Sequence, residues 1–315
     1  MLRFAAFFPR LPIFARMDRC LRHVLHWLVA ACGASMGCHF RGADGPVPRS
    51  LVLSRQLSQQ GVSAMEHGNW VRADELLAQA VKVFPQDAEA RFHYAEALWH
   101  RRQQAAALEQ LDKALQLSPD DPELLVRAAQ MRTALGQAAE AGELIERALD
   151  VDPKNAAVWS LRGRLRRDAG EPREALADYH RALGYRPDDR ETLLDVAEVY
   201  RQLNQPQRAL ATLQTLSETY PPGEEPAQVF YLTGLAYDAL GRCAEAADLL
   251  ALARDRGPPA VETLYRLAEA QWKAGRETEA RQTTAQLLAV SPGHPGGMAL
   301  VERLDVAQRP RPQLR

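Results

Sequence analysis

Residues 156–189 read AAVWSLRGRLRRDAGEPREALADYHRALGYRPDD, and most of the remaining chain repeats their plan. Within these 34 residues Trp159, Gly163, Gly170, Ala175, Tyr179, Ala182 and Pro187 stand at fixed offsets. Prolines at the offset of Pro187 recur as Pro85, Pro119, Pro153 and Pro221, each a multiple of 34 residues away. Proline at a constant interval in helix-forming sequence marks a structural repeat, because its ring and missing N–H end each helix at the same place. The unit reads as two short helices. Gly170 allows a left-handed turn after the first, and Pro172 opens the second, where its absent N–H costs nothing.

The same offsets extend in both directions. Residues 54–87 carry Gly61, Gly68, Ala73, Ala80 and Pro85, and residues 88–121 carry Ala95, Ala107, Ala114 and Pro119 with Arg102 in place of the turn glycine. Residues 122–155 have Ala129, Gly136, Ala141, Ala148 and Pro153, and residues 190–223 have Ala197, Tyr200, Ala209 and Pro221 with Asn204 at the turn. The register slips by three residues in PPGEEP (221–226) and resumes with Gly234, Gly241, Ala246, Ala253 and Pro258 over 227–260. Residues 261–294 close the series with Ala268, Gly275, Ala280 and Pro292. A small residue at the eighth position lets the first helix of a unit approach its own second helix. Alanines at the twentieth and twenty-seventh positions keep the second helix narrow, and stacking neighbours hides what one pair cannot.

These residues resemble the tetratricopeptide repeat family. The resemblance implies an all-α fold: a right-handed α-solenoid of about seven helix-turn-helix repeats over 51–294. Residues 295–308 follow in phase as a capping helix, with Met298 and Val301 expected on its buried side and Glu302 where a further repeat would need Gly or Ala. Arg309–Arg315 reads as a disordered tail. The resemblance also implies a function without catalysis: a scaffold that holds a protein or peptide partner in a concave groove lined by the second, fifth, ninth, twelfth and thirteenth positions of each first helix. The alternative is an envelope assembly factor that self-associates through its solenoid ends.

On those positions the expected contacts are the aromatics Phe92, Trp99, Tyr231, Tyr265 and Trp272, with Arg164, Arg167 and Arg201 and the acids Glu96 and Glu198. Flat amphipathic rings are favoured anchors. Arginine forks suit carboxylates, so a basic mid-groove is expected to select an acidic segment, with pairing to Asp168, Glu171 and Glu198 as the competing use of those arginines. Trp159, Tyr179, Tyr200 and Tyr237 fall at packing positions, and Cys243 is expected to be an inert buried thiol. The Lys/Asn clamp with which co-chaperone members of the family grip a terminal carboxylate is missing, since Ser58, Val62, His93, Glu123 and Arg127 stand in its region.

Before the repeats, residues 1–38 read as a leader. Met17–Arg22 resembles a basic start, Val24–Ala31 a short apolar run, and Cys32 and Cys38 stand where a bacterial lipoprotein carries its lipid. Residues 39–50 read as a flexible linker, with Ser50 as a cap for the first helix. The expected location is the cell envelope, periplasmic or lipid-anchored, with membrane contact only through this leader; the alternative is the cytoplasm.

Charge and motifs narrow the function further. The net charge is −1, yet residues 1–50 carry seven arginines against Asp18 and Asp44, so the repeats hold an acidic excess that disfavours nucleic acid. No phosphate loop, H-E-x-x-H or G-x-S-x-G motif is present. His93, Glu96 and His100 share a helix face, but two histidines seven residues apart lie about 10 Å apart along the axis, too far for one ion with bonds of about 2 Å. No catalytic residue, cofactor or metal site is expected.

Overall fold

The computed structural model describes residues 47–258 and 260–307, which form fifteen helices and no strand. The leader with Cys32 and Cys38, and the tail beyond Ala307, lie outside the described residues. The chain divides into 1–52 and 53–315, and the repeat array occupies the second unit.

Seven helix pairs follow one another: α1 (Arg49–Glu66) with α2 (Trp70–Val83), α3 (Ala88–His100) with α4 (Gln104–Leu117), and α5 (Pro122–Ala134) with α6 (Ala138–Val151). Then come α7 (Ala156–Asp168) with α8 (Pro172–Tyr185), α9 (Arg190–Gln202) with α10 (Pro206–Glu218), α11 (Ala227–Ala239) with α12 (Cys243–Arg256), and α13 (Val261–Lys273) with α14 (Glu277–Val290). A single helix, α15 (Pro295–Ala307), ends the array. The architecture is the all-α solenoid.

Local chemistry sets each boundary. Asp87, Asp121 and Asn155 cap α3, α5 and α7 by accepting backbone N–H bonds of 3.0–3.3 Å. All seven turns inside a pair pass through left-handed backbone, at Arg102 (φ 63°) and Asn204 (φ 54°) as well as at five glycines such as Gly170 (φ 80°). The turn geometry is imposed by packing of the two helices, and Arg102 adopts it despite its Cβ. At the eighth position the contact is close: a Cβ on Gly163 would stand 2.7 Å from the Tyr179 ring. Tyr179 is 0% exposed, and with Trp159 and Tyr200 it is buried as expected, whereas Tyr237 is half-buried beneath Arg242.

Three expectations need correction. α1 starts at Arg49, so Ser50 lies within the helix, where the carbonyl of Pro48 accepts from Leu51 and Val52. In α15 the buried side chains are Leu300 and Leu304, while Met298 and Val301 are 54% and 37% exposed. The face of α15 turned to α14 and α13 is covered, but the face that a following second helix would cover has no such partner among the described residues. Cys243 opens α12 half-exposed rather than buried, with its thiol 3.8 Å from Asp238. Burial, with that carboxylate beside it, pushes the thiol's pKa up and makes it a poor nucleophile.

Candidate interaction groove

The first helices of successive pairs stand side by side, which brings their groove positions together in a continuous surface. Between α3, α5 and α7 this surface holds a cavity of about 580 Å³, with Phe92 and Val126 as apolar walls and Gln130 and Glu123 at its border. Arg127 crosses it to Glu96, donating Nη2 and Nε to the two carboxylate oxygens at 2.8 and 2.5 Å. Both side chains are half-buried, so this two-point bond fixes the arginine plane. A second cavity, of about 500 Å³, lies between α1 and α3.

The middle of the groove is filled by ion pairs. Arg164 donates Nε to Asp195 at 2.7 Å and lies 2.7 Å from Glu191. Arg167 donates to the other oxygen of Asp195 at 2.7 Å and to Asp168 at 3.0 Å. Arg201 binds Glu198 of its own helix through two bonds, 2.6 and 2.8 Å. Burial works against the charge of Arg164, but the bonds from Asp195 and Glu191 outweigh it and raise its pKa. The Arg201 bond holds the Glu198 carboxyl below the usual range. The arginines here meet at least as many carboxylates, so the expectation of a basic mid-groove gives way to a neutralised one.

The remaining expected contacts divide into open and occupied. Phe92 and Trp99 are half-buried, packed at the edge of the core of the second to fourth pairs, and Phe92 faces the cavity. Tyr231 is half-buried, and burial raises its hydroxyl pKa. Tyr265 packs so closely on the capping helix that a Cβ on Gly296 would stand 2.3 Å from its ring, and His294 lies 5.0 Å away. Trp272 has the Arg303 guanidinium 5.2 Å over its ring. His100 stacks on Trp70 with ring centroids 3.8 Å apart, and Glu96 is engaged by Arg127, so the His93–Glu96–His100 face does not act as a unit.

Sequence reasoning missed Asp195, the residue that ties Arg164 to Arg167, and it named Arg127 only among the residues that stand where the co-chaperone clamp is missing. A signal existed: Glu96 with Arg127 and Arg164 with Asp195 are opposite charges 31 residues apart, linking the ninth position of one unit to the sixth of the next.

The comparisons agree with this fold. A family model described as tetratricopeptide repeat matches residues 58–122 and 231–295, and a second of the same description matches 102–165 and 166–229. The chain belongs to the tetratricopeptide repeat family. Repeats of this family serve in general as protein–protein interaction scaffolds without catalysis. Among solved structures, pilF of Pseudomonas aeruginosa superposes with a TM-score of 0.62 at 17% identity, covering 70% of this chain and 99% of that one. PilW, a type IV pilus biogenesis factor, gives 0.60 at 20% identity over 66% and 94% of the two chains. A tetratricopeptide repeat protein of Parabacteroides merdae gives 0.58 at 14% over 80% and 98%. At such identities the likeness is one of fold. No curated protein matches the sequence. Among the described residues no helix is long and apolar enough to cross a membrane.

Proposed function

We propose that this tetratricopeptide repeat array holds an extended segment or a helix of a protein partner in its concave groove, centred on α3 and α5. The observation that carries the reading is the cavity of about 580 Å³ at Phe92 and Val126, open beside a fixed Glu96–Arg127 pair. An apolar recess with one oriented ion pair at its wall suits an anchoring side chain flanked by polar contacts. Trp99 on α3 and Tyr231 on α11 are further aromatic groove positions, while Tyr265 and Trp272 contribute by carrying the cap. The mid-groove arginines act through their carboxylate partners and supply register rather than selection for acid.

A photo-reactive amino acid placed at Gln130 should give a protein adduct in cells, and the same group at Glu143 on α6 should not. Phe92→Ala should diminish the Gln130 adduct. Equal labelling from both positions would remove the groove from consideration.

The location proposed for the array is the cell envelope, on the strength of the Val29–Cys32 and Ser35–Cys38 stretches and the basic residues before them. Cys32→Ser or Cys38→Ser should shift the protein from the membrane to the soluble fraction; unchanged fractionation of both variants, and of their combination, argues against a lipid anchor. A second reading, end-to-end self-association, draws on the exposure of Met298 and Val301 at the capping helix. Sedimentation that is independent of concentration and unaltered by Met298→Glu/Val301→Glu would dispose of it.

A further inference from the structure

The cavity between α1 and α3 has a chemistry that the Phe92 cavity lacks. Three carboxylates line it, those of Glu66, Asp87 and Glu89, against the single guanidinium of Arg55. Asp87 is buried, and its two oxygens accept from the N–H of Ala90 and the hydroxyl of Ser54, each at 3.2 Å. A carboxylate offers about four acceptor sites, so capacity remains. Among the described residues the cation that Glu89 pairs with is His93, its Nε2 3.9 Å away.

Ser58 lines the same cavity, is 7% exposed, and its hydroxyl has no hydrogen-bond partner among the described residues. A buried hydroxyl without a partner destabilises the fold. Acids at the second position also favour a helix N-terminus, which accounts for Glu89 together with Glu123, Glu191 and Glu262 along one lip of the groove. It does not account for an unpartnered, buried hydroxyl at the wall of the same recess.

The geometry points to the α1–α3 cavity as the seat of a primary ammonium, the lysine head of a basic segment of the protein partner. An ammonium has three N–H donors, and Ser58, Asp87 and Glu89 supply acceptors for them. Val62 lines the same recess, is half-buried and offers apolar surface to the methylene stem. An acidic segment would bring a fourth negative charge to three that are poorly compensated. The inference deepens the proposed function and rests on the concave face being the docking surface.

Fluorescence anisotropy of the full chain with labelled acetyl-(Gly-Lys)4-amide and acetyl-(Gly-Glu)4-amide tests it at low salt. The lysine peptide should bind and the glutamate peptide should not. Ser58→Ala should weaken the lysine peptide about tenfold, the size of one hydrogen bond to a charged group, and at the same time raise the melting temperature of the free protein. No purely structural role of Ser58 gives that opposition. Glu89→Lys should weaken binding about tenfold or more, while Glu140→Lys on α6, the same change of charge, should stay within about twofold.

Equal binding of the two peptides, or equal loss in Glu89→Lys and Glu140→Lys, overturns the assignment. So does lysine binding undiminished by Ser58→Ala. The two readings fail separately: lysine selectivity lost while the Gln130 adduct persists removes the ammonium seat alone. An absent adduct beside intact lysine selectivity removes the groove reading.

Discussion

The groove from α1 to α5 and the groove from α7 to α9 are built on one two-helix unit, yet they present different surfaces. In the first, Phe92 and Val126 occupy the fifth position of two units and wall a recess of about 580 Å³, while a recess of about 500 Å³ lies beside Ser58, the fifth residue of the first unit. In the second, the fifth position is Ser160, whose hydroxyl meets Thr192 of the next first helix at 2.5 Å, and arginines bridge the same helices to Asp195. Beneath that bridge the Tyr179 ring fills the space left by Gly163. Among the described residues Tyr179 has no hydrogen-bond partner for its hydroxyl, and burial, with Asp195 nearby, raises its pKa. The contrast shows how a repeat fold separates duties. Stacking residues are common to all units, and a few groove positions decide whether a junction keeps a recess or is filled by ion pairs.

The largest test of the contrast is truncation on each side. Tyr179→Ala should cost about 3–5 kcal/mol in chemical denaturation, because it empties a fully buried site. Phe92→Ala, half-exposed at the recess, should cost about 1–2 kcal/mol and act mainly on partner capture. If Phe92 proves the costlier, the recess is core rather than site. Next in size, Asp195→Ala should destabilise by about 1–2 kcal/mol, since it strips both Arg164 and Arg167 of their common partner in a partly exposed setting. A change indistinguishable from zero would mean that the mid-groove pairs are ornamental to stability.

Smaller effects separate the turns. Arg102→Gly should stabilise by about 0.5–1 kcal/mol, by relieving a left-handed Cβ, and Asn204→Gly should gain less because asparagine tolerates that region. The smallest effect is in pH. Glu198 has a depressed folded pKa, so its contribution is present above the unfolded glutamate value of about 4.3 and fades as pH falls through the lower folded value. Between pH 6 and pH 3 the melting temperature of Glu198→Gln should therefore fall less than that of the wild type. Parallel curves would deny the Arg201 bond any role in solution.

The proline register, the turn residues and the small eighth positions made the helix pairs legible, because each acts within one unit and leaves a mark at a fixed offset. Packing positions such as Trp159, Tyr179 and Tyr200 were legible for the same reason. The groove residues were identified by position, but their state was not. Whether Arg164 is free or paired depends on Asp195, 31 residues away, and Tyr265 is occupied only because Gly296 admits its ring. The exposure of Met298 and Val301 depended on a neighbouring helix that the described residues do not supply.

By itself, then, the sequence determined the repeat, its period, its turns and the family, since these follow from backbone limits on proline and left-handed residues and from the room a Cβ needs. Only the tertiary structure decided which side chains are spent on one another. Stacking sets the distance between successive first helices, and at that distance Asp195 reaches two arginines while Ser58 meets no hydrogen-bond partner among the described residues. Hydrogen bonds weaken steeply with distance and misalignment, so only the stacked structure decides which of these side chains meet a partner.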